Sequence, residues 1–277
     1  MSMKVSVLIE DTCGNPIYRY EHGLSVYVET KEHKVLVDTG ATSAFLENAQ
    51  RMGIDLSLVD TVIISHGHYD HAGGILSFNK INPKAKIYIQ KTATGAFYHG
   101  DRYIGIDQKI VELPQVCLLE GNYRIDKELY LFTGIVGRRC YPKSNLLLST
   151  KTVDGLKQDT FAHEQCLVIE QGGNNLLLSG CAHNGILNIL DRYREFYTKE
   201  PAAVFSGFHM MKKEAYTTQE ASIIQDTARE LTKMDTIFYT GHCTGSAAID
   251  LMKPIMGEKL QKLHCGDLKL PFDKEEN

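Results

Sequence analysis

The sequence predicts an α/β fold of mixed sheets covered by helices, organised as one domain over residues 1–277. Three observations point there. Short, β-branched apolar runs alternate with amphipathic helical stretches, and no short-period repeat interrupts them. No Pro-, Ser- or charge-rich linker divides the chain. Several polar residues that carry chemistry follow directly on predicted strands, where a rigid scaffold commonly aims active-site groups together.

The elements follow in chain order. "KVSVLIE" (4–10) alternates as a strand, and "LSVYVET" with "KVLVDTG" reads as a hairpin about "KEH". "ATSAFLENAQRMG" has helical composition and stops at Gly53, a residue suited to the position after a helix end. "DTVIIS" (60–65) has the length of a buried strand and delivers the chain into "HGHYDH". "GGILSFNKINP" reads as a short helix and "AKIYIQ" as a strand. Residues 91–145 show no clear period.

Further on, "QCLVIEQ" and "NLLLSG" flank the turn "GGN", and the second strand runs into "CAHNG". "NGILNILDRYREFYTK" is amphipathic with a helical period. "PAAVFSG" is a strand that ends at "FHM". "TTQEASIIQDTARELTKM" opens with a capping box, Thr217 with Glu220. "DTIFYTG" is a strand entering "HCTG", and "SAAIDLMKPIM" is helical.

Bulk properties exclude several classes. The chain has 277 residues, 43% hydrophobic and 23% charged, and can bury a large core. Its net charge of −4 gives no long-range attraction for nucleic acid or an anionic membrane, so neither partner is expected. No apolar run reaches the roughly 18 residues that suggest a spanning helix, and "MSMKVSVLIEDTCGN" lacks the apolar core of a secretory signal. Seven cysteines without a CxxC or a framework spacing fit a reduced, cytoplasmic protein. A small-molecule partner, possible homodimerisation and buried packing for most of these thiols complete the expectation.

The histidines sort by position. His66, His183, His209 and His242 each lie just after an apolar strand, whereas His22, His33 and His264 read as surface residues. His99 has either role open to it. "SHGHYDHAGG" crowds His66, His68, Asp70 and His71 into six positions. A proton relay would need one or two of these groups; a metal site uses all four. Neutral imidazole and carboxylate suit zinc, iron and related ions. H-x-H can chelate one ion and the adjacent D-H pair a second, and two ions about 3.5–4 Å apart form a hydrolytic unit.

"SHGHYDHAGG" resembles the H-x-H-x-D-H signature of the metallo-β-lactamase superfamily. "VLVDTG", "LLLSGCAHNGILNI", "FSGFHM" and "YTGHCTG" extend the likeness over nearly the whole chain. Within the superfamily the chain looks most like the dihydropterin-methyl-ribofuranosylaminobenzene-phosphate synthase-like subgroup. The resemblance implies a four-layer αββα sandwich with a dinuclear site at the sheet edges. It implies that His66 and His68 hold the first ion, that Asp70, His71 and His242 hold the second, and that Asp38 organises the loop. The remaining ligand of the first ion is His183 or its rival His163. The superfamily's bridging aspartate is replaced by Cys181, which could ligate through sulfur or be a plain buried thiol.

Zinc is the first expectation for the two ions, with iron or manganese as alternatives. Zinc lowers the pKa of bound water from 15.7 to about 7, which predicts hydrolysis of an ester, lactone or phosphoester. Asp70, through its second oxygen, and His209, as proton donor or substrate contact, are the catalytic candidates. The subgroup resemblance implies a different reaction, a pterin-related condensation releasing diphosphate; a metal- and ligand-binding sensor is a third reading. Arg138, Arg139 and Lys143 in "GRRCYPK" could hold a phosphate, and the aromatics of "FYHGDRYIG" could stack on a flat ring.

Overall fold

Two seven-stranded sheets lie face to face in the computed structural model, which describes residues 3–272. The first sheet runs, edge to edge, Leu268–Lys269, Lys4–Ile9, Ser25–Glu29, Lys34–Val37, Thr61–Ile63, Lys86–Gln90 and Val116–Leu119. The second runs Leu260–Lys262, Ile237–Thr240, Ala203–Phe205, Asn174–Leu178, Cys166–Gln171, Leu129–Phe132 and Tyr123–Arg124. Each is mixed: an antiparallel portion continues into parallel strands from Lys34–Val37 in the first sheet and from Asn174–Leu178 in the second.

Period-two alternation decides which side chain enters which layer. Val26, Val28, Val35 and Val37 join Leu167, Ile169, Leu176 and Phe205 in the core between the sheets. Tyr27 and Leu36 point the other way, into a core with Phe45 and Phe78 from the helices Ala44–Arg51 and Ile75–Ile81. On the far side, Val168, Leu177 and Val204 pack with the helices Ile186–Tyr193, Thr218–Leu231 and Ser246–Met256. The strands are therefore apolar on both faces, and the layers are αββα, as expected.

The expected capping box is present: Thr217 accepts from the Glu220 N–H while the Glu220 carboxylate accepts from the Thr217 N–H. The helix expected over 184–199 ends at Tyr193. Beyond it the chain turns, and Phe196 and Tyr197 cover Tyr130, with ring centroids 5.4 and 6.3 Å away.

The aperiodic middle resolves into very short strands. Phe97–His99 and Arg102–Tyr103 pair with the hairpin Leu148–Thr152 and Gly155–Gln158 in a small third sheet. That sheet stands over one edge of the sandwich, packed through Phe97, Ile104, Leu148 and Phe161. No helix among the described residues is long and apolar enough to cross a membrane.

Candidate metal centre

Strand direction gathers the chemistry at one edge. Lys4–Ile9, Lys34–Val37 and Thr61–Ile63 run the same way in the first sheet, as do Asn174–Leu178, Ala203–Phe205 and Ile237–Thr240 in the second. Their C-terminal ends release Asp11, Asp38, His66, Cys181, His209 and His242. His68 follows from the same loop as His66, and Asp70 and His71 lie on the single-turn helix Tyr69–Ala72. Asp38, Ala182, His209 and His242 have φ between 47 and 59°, so four turns at this edge hold left-handed, non-glycine backbone.

The expected ligands are brought together. His66, His68 and His183 form a triangle with ring centroids 4.6, 4.8 and 4.9 Å apart. His66 Nε2 lies 3.2 Å from His183 Nε2. On the other side, His71 Nε2 and His242 Nε2 stand 3.7 and 3.4 Å from Asp70 Oδ2. Cys181 belongs to both groups: its sulfur lies within 4.8 Å of donor atoms of His66 and His183, and equally of His71 and His242. The thiol thus occupies the junction of the two nitrogen sets.

Hydrogen bonds fix the outer edge of most of these rings. Asp38 Oδ2 accepts from His71 Nδ1 at 2.7 Å and from the Ser65 hydroxyl at 2.7 Å. With its proton committed, Ser65 Oγ accepts from His66 Nδ1 at 2.8 Å. Asn145 donates its amide N–H to the His183 carbonyl, so its Oδ1 accepts from His183 Nδ1 at 3.0 Å. Asp11 Oδ1 accepts from His242 Nδ1 at 2.6 Å. Outer-nitrogen bonds of this kind orient metal-binding imidazoles.

Those bonds leave Nε2 of His66, His71, His183 and His242 as lone pairs directed inward, that of His71 lying 3.2 Å from the Cys181 sulfur. His68 Nε2 and His242 Nε2 are buried without a hydrogen-bond partner among the described residues. Two bare nitrogens 3.2 Å apart, as in His66 and His183, repel unless positive charge lies beside them. Burial and the neighbouring imidazoles hold His66 and His183 well below the usual histidine range and bring His68 down to about 3, so these rings are neutral at neutral pH. Burial opposes ionisation of Asp70, but His71, His242 and His68 outweigh it and keep its carboxyl well below its ordinary value. Burial pushes the Cys181 thiol up; a coordinated cation would reverse that by deprotonating it. The donor set fits transition-metal ions.

His163 sits one layer back. Its Nδ1 accepts from the Gly67 N–H at 3.1 Å and its Nε2 faces Asp159 Oδ2 at 3.1 Å, so both ring nitrogens are engaged. The buried Glu164 beside it accepts from the N–H groups of His183 and Asn184, fixing the loop after Cys181.

A cavity of about 730 Å³ opens over the centre. His209 lines it, its ring 4.1 Å from that of His183 and its Nδ1 without a partner. Of the three basic residues of "GRRCYPK", Lys143 lines the cavity. Arg139 is paired outside it with Asp191 and Glu230, and Arg138 lies over Tyr141. From "FYHGDRYIG", His99, Arg102 and Ile104 line the cavity, whereas Phe97 packs against His163 and Tyr98 against Tyr103.

His22 is exposed, as expected of a surface residue, and also lines the cavity. Its Nδ1 donates to Asp11 Oδ2 at 2.8 Å, and its ring lies 4.7 Å from that of His242. Asp11 was not among the expected site residues. "LIED" ends a strand in acids, and that signal was available.

Fold and site together define a metal-binding α/β sandwich of a known kind. The chain belongs to the metallo-beta-lactamase superfamily, whose family pattern matches residues 19–225. It is similar to the crystal structure of Tm1679, described as a metal-dependent hydrolase of the beta-lactamase superfamily, with a TM-score of 0.83 and 30% identity over 96% of this chain and 98% of that one. An uncharacterized protein of Methanocaldococcus jannaschii is 28% identical over 75% of this chain and 79% of the relative. The 7,8-dihydropterin-6-methyl-4-(beta-D-ribofuranosyl)-aminobenzene-5'-phosphate synthase of the same organism is 24% identical over 96% of each chain.

Proposed function

We propose that the protein is a dinuclear metal-dependent hydrolase acting on a small, anionic ester, lactone or phosphoester in the cytoplasm. The observation that carries this reading is the pair of inward-facing donor sets meeting at Cys181 on the floor of a deep cavity. His66, His68 and His183 would hold one ion, Asp70, His71 and His242 the other, and the Cys181 sulfur both. When bound, the ions, zinc or else iron or manganese, would supply a water nucleophile activated at neutral pH and a Lewis acid for the electrophile's oxygen.

The chain's own residues do the rest. Asp38, Ser65, Asn145 and Asp11 hold the imidazoles in the tautomer that presents Nε2 to the centre. His209, which lines the cavity beside His183, is placed to give a proton to a leaving group or to hold it by a hydrogen bond. Among the described residues the Arg102 side chain bonds the neutral Tyr69 hydroxyl and Lys143 the neutral Gln219 amide, so both bring positive charge to the cavity without a direct carboxylate partner. That charge favours a phosphorylated or otherwise anionic substrate.

A hydrolase panel of phosphomonoesters, phosphodiesters, lactones and simple esters tests the reading, with metal-loaded and chelated protein side by side. Loaded protein is expected to turn over at least one class and chelated protein none. His209→Ala should lower kcat by about 10²–10⁴-fold with little change in KM. Two bound ions with no turnover of any class would overturn hydrolysis. The second reading, a synthase releasing diphosphate, is favoured by the full-length relative of that name; diphosphate release from a dihydropterin diphosphate and an aminobenzene ribofuranosyl phosphate would select it.

A further inference from the structure

We propose that His22 is a further ligand of the second ion, completing a set of Asp70, His71, His242, Cys181 and His22. The inference rests on the dinuclear reading above and concerns a residue outside the H-x-H-x-D-H stretch.

One carboxylate orients two rings. Asp11 Oδ1 takes the Nδ1–H of His242 at 2.6 Å, and Asp11 Oδ2 takes the Nδ1–H of His22 at 2.8 Å. Both rings are thereby left with a bare Nε2, and both point to the same place. His242 Nε2 lies 3.4 Å from Asp70 Oδ2 and His22 Nε2 lies 3.5 Å from it, with His71 Nε2 at 3.7 Å. Three imidazole nitrogens thus converge on one carboxylate oxygen at nearly equal distances.

Those distances suit a shared ion better than direct hydrogen bonds. A good N–H···O contact is about 2.7–3.2 Å. Donor atoms held at about 2.1 Å around one five-coordinate ion stand about 3.0–3.6 Å apart. A surface histidine needs only one carboxylate partner; His22 has that partner in Asp11 and still turns its other nitrogen inward.

The backbone holds it there. The Gly23 N–H donates to Asp11 Oδ1 at 3.3 Å and the Leu24 N–H to the Asp70 carbonyl at 3.3 Å. A Cβ at Gly23 would lie 2.6 Å from that carbonyl oxygen, so the absence of a side chain lets the His22 segment close on the metal loop. The His22 side chain is 48% exposed and lines the cavity, which puts this ligand at the entrance rather than the floor.

The test is stepwise loading of metal-free wild type and His22→Ala with cobalt(II). Both binding constants are read by competition with a chromophoric chelator, and the visible spectrum is recorded at each step. His33→Ala, far from the centre, serves as control, and far-UV circular dichroism of the metal-free proteins checks the fold. The second ion is expected to bind ten-fold or more weakly in His22→Ala, with the first unchanged and the visible bands of the second cobalt altered by the lost ligand. Added imidazole should restore part of that affinity in His22→Gly. Two unchanged constants and an unchanged spectrum would overturn the proposal while leaving the dinuclear reading intact. A wild type that takes up fewer than two ions would overturn both.

Discussion

Cys181 and the glycine before it show how much rests on single atoms at this site. A Cβ on Gly180 would fall 2.2 Å from Ser65 Oγ and 3.1 Å from His66 Nδ1. Ser65 could not then keep its bonds to both Asp38 and His66. Gly180→Ala is expected to lower metal-free stability by about 1–3 kcal/mol and to weaken the first ion ten-fold or more. Urea melts and chelator competition measure the two effects, and unchanged values of both would contradict the packing described. At this scale the sequence was informative where candidate ligands are local. His66, His68, Asp70 and His71 stand within one loop, and His183 and His242 were marked by the strands before them. Asn145 was hidden, because a residue that bonds the outer nitrogen of a distant imidazole has no fixed spacing from it, whereas Asp11 was signalled by the acids that end its strand. His22 keeps the exposure expected of a surface residue while also lining the cavity.

Elements read well when their stability is local and poorly when it is not. Thr218–Leu231 announced itself through the Thr217–Glu220 box and its amphipathic period. Phe97–His99 and Leu129–Phe132 are only three and four residues long and pair with Leu148–Thr150 and Cys166–Ile169, so nothing in their own segments specifies a strand. The hairpin tip at His33 shows a similar long-range tie. Its ring bridges Asp60 of the first sheet's loop at 2.9 Å and Asp126 of the second's at 2.6 Å.

Burial opposes the His33 charge, but Asp60 and Asp126 outweigh it and raise its pKa above 6.5. Burial likewise opposes ionisation of Asp126, yet the N–H groups of Glu128 and Leu129, with His33, hold it below 3.8. The raised His33 value stabilises the fold fully below pH 6.5, and that contribution is lost as pH rises through the raised pKa. The lowered Asp126 value contributes above pH 3.8 and is lost as pH falls through the depressed pKa. His33→Gln should therefore cost stability between about pH 4 and 6.5 and little at pH 9. Thermal melts of metal-free protein across that range check this; a difference from wild type that does not vary with pH would contradict it.

Over the whole molecule, two sheets with parallel strands of matched direction bring the ends of six strands to one edge, and the small third sheet walls the cavity above them. Mixed sheets covered by helices were legible in the alternation of apolar strands and amphipathic helices, and the αββα layering followed from the family resemblance. The third sheet was not, since it is assembled from the aperiodic stretch and a later hairpin. The central claim is that two ions share the Cys181 sulfur between His66, His68 and His183 on one side and Asp70, His71 and His242 on the other. Elemental analysis of purified protein, wild type beside Cys181→Ala, His183→Ala and His163→Ala, tests it most directly. About two ions per chain are expected in wild type and in His163→Ala, and fewer in Cys181→Ala and His183→Ala. A single ion in wild type, unaffected by removal of the Cys181 sulfur, would contradict the account.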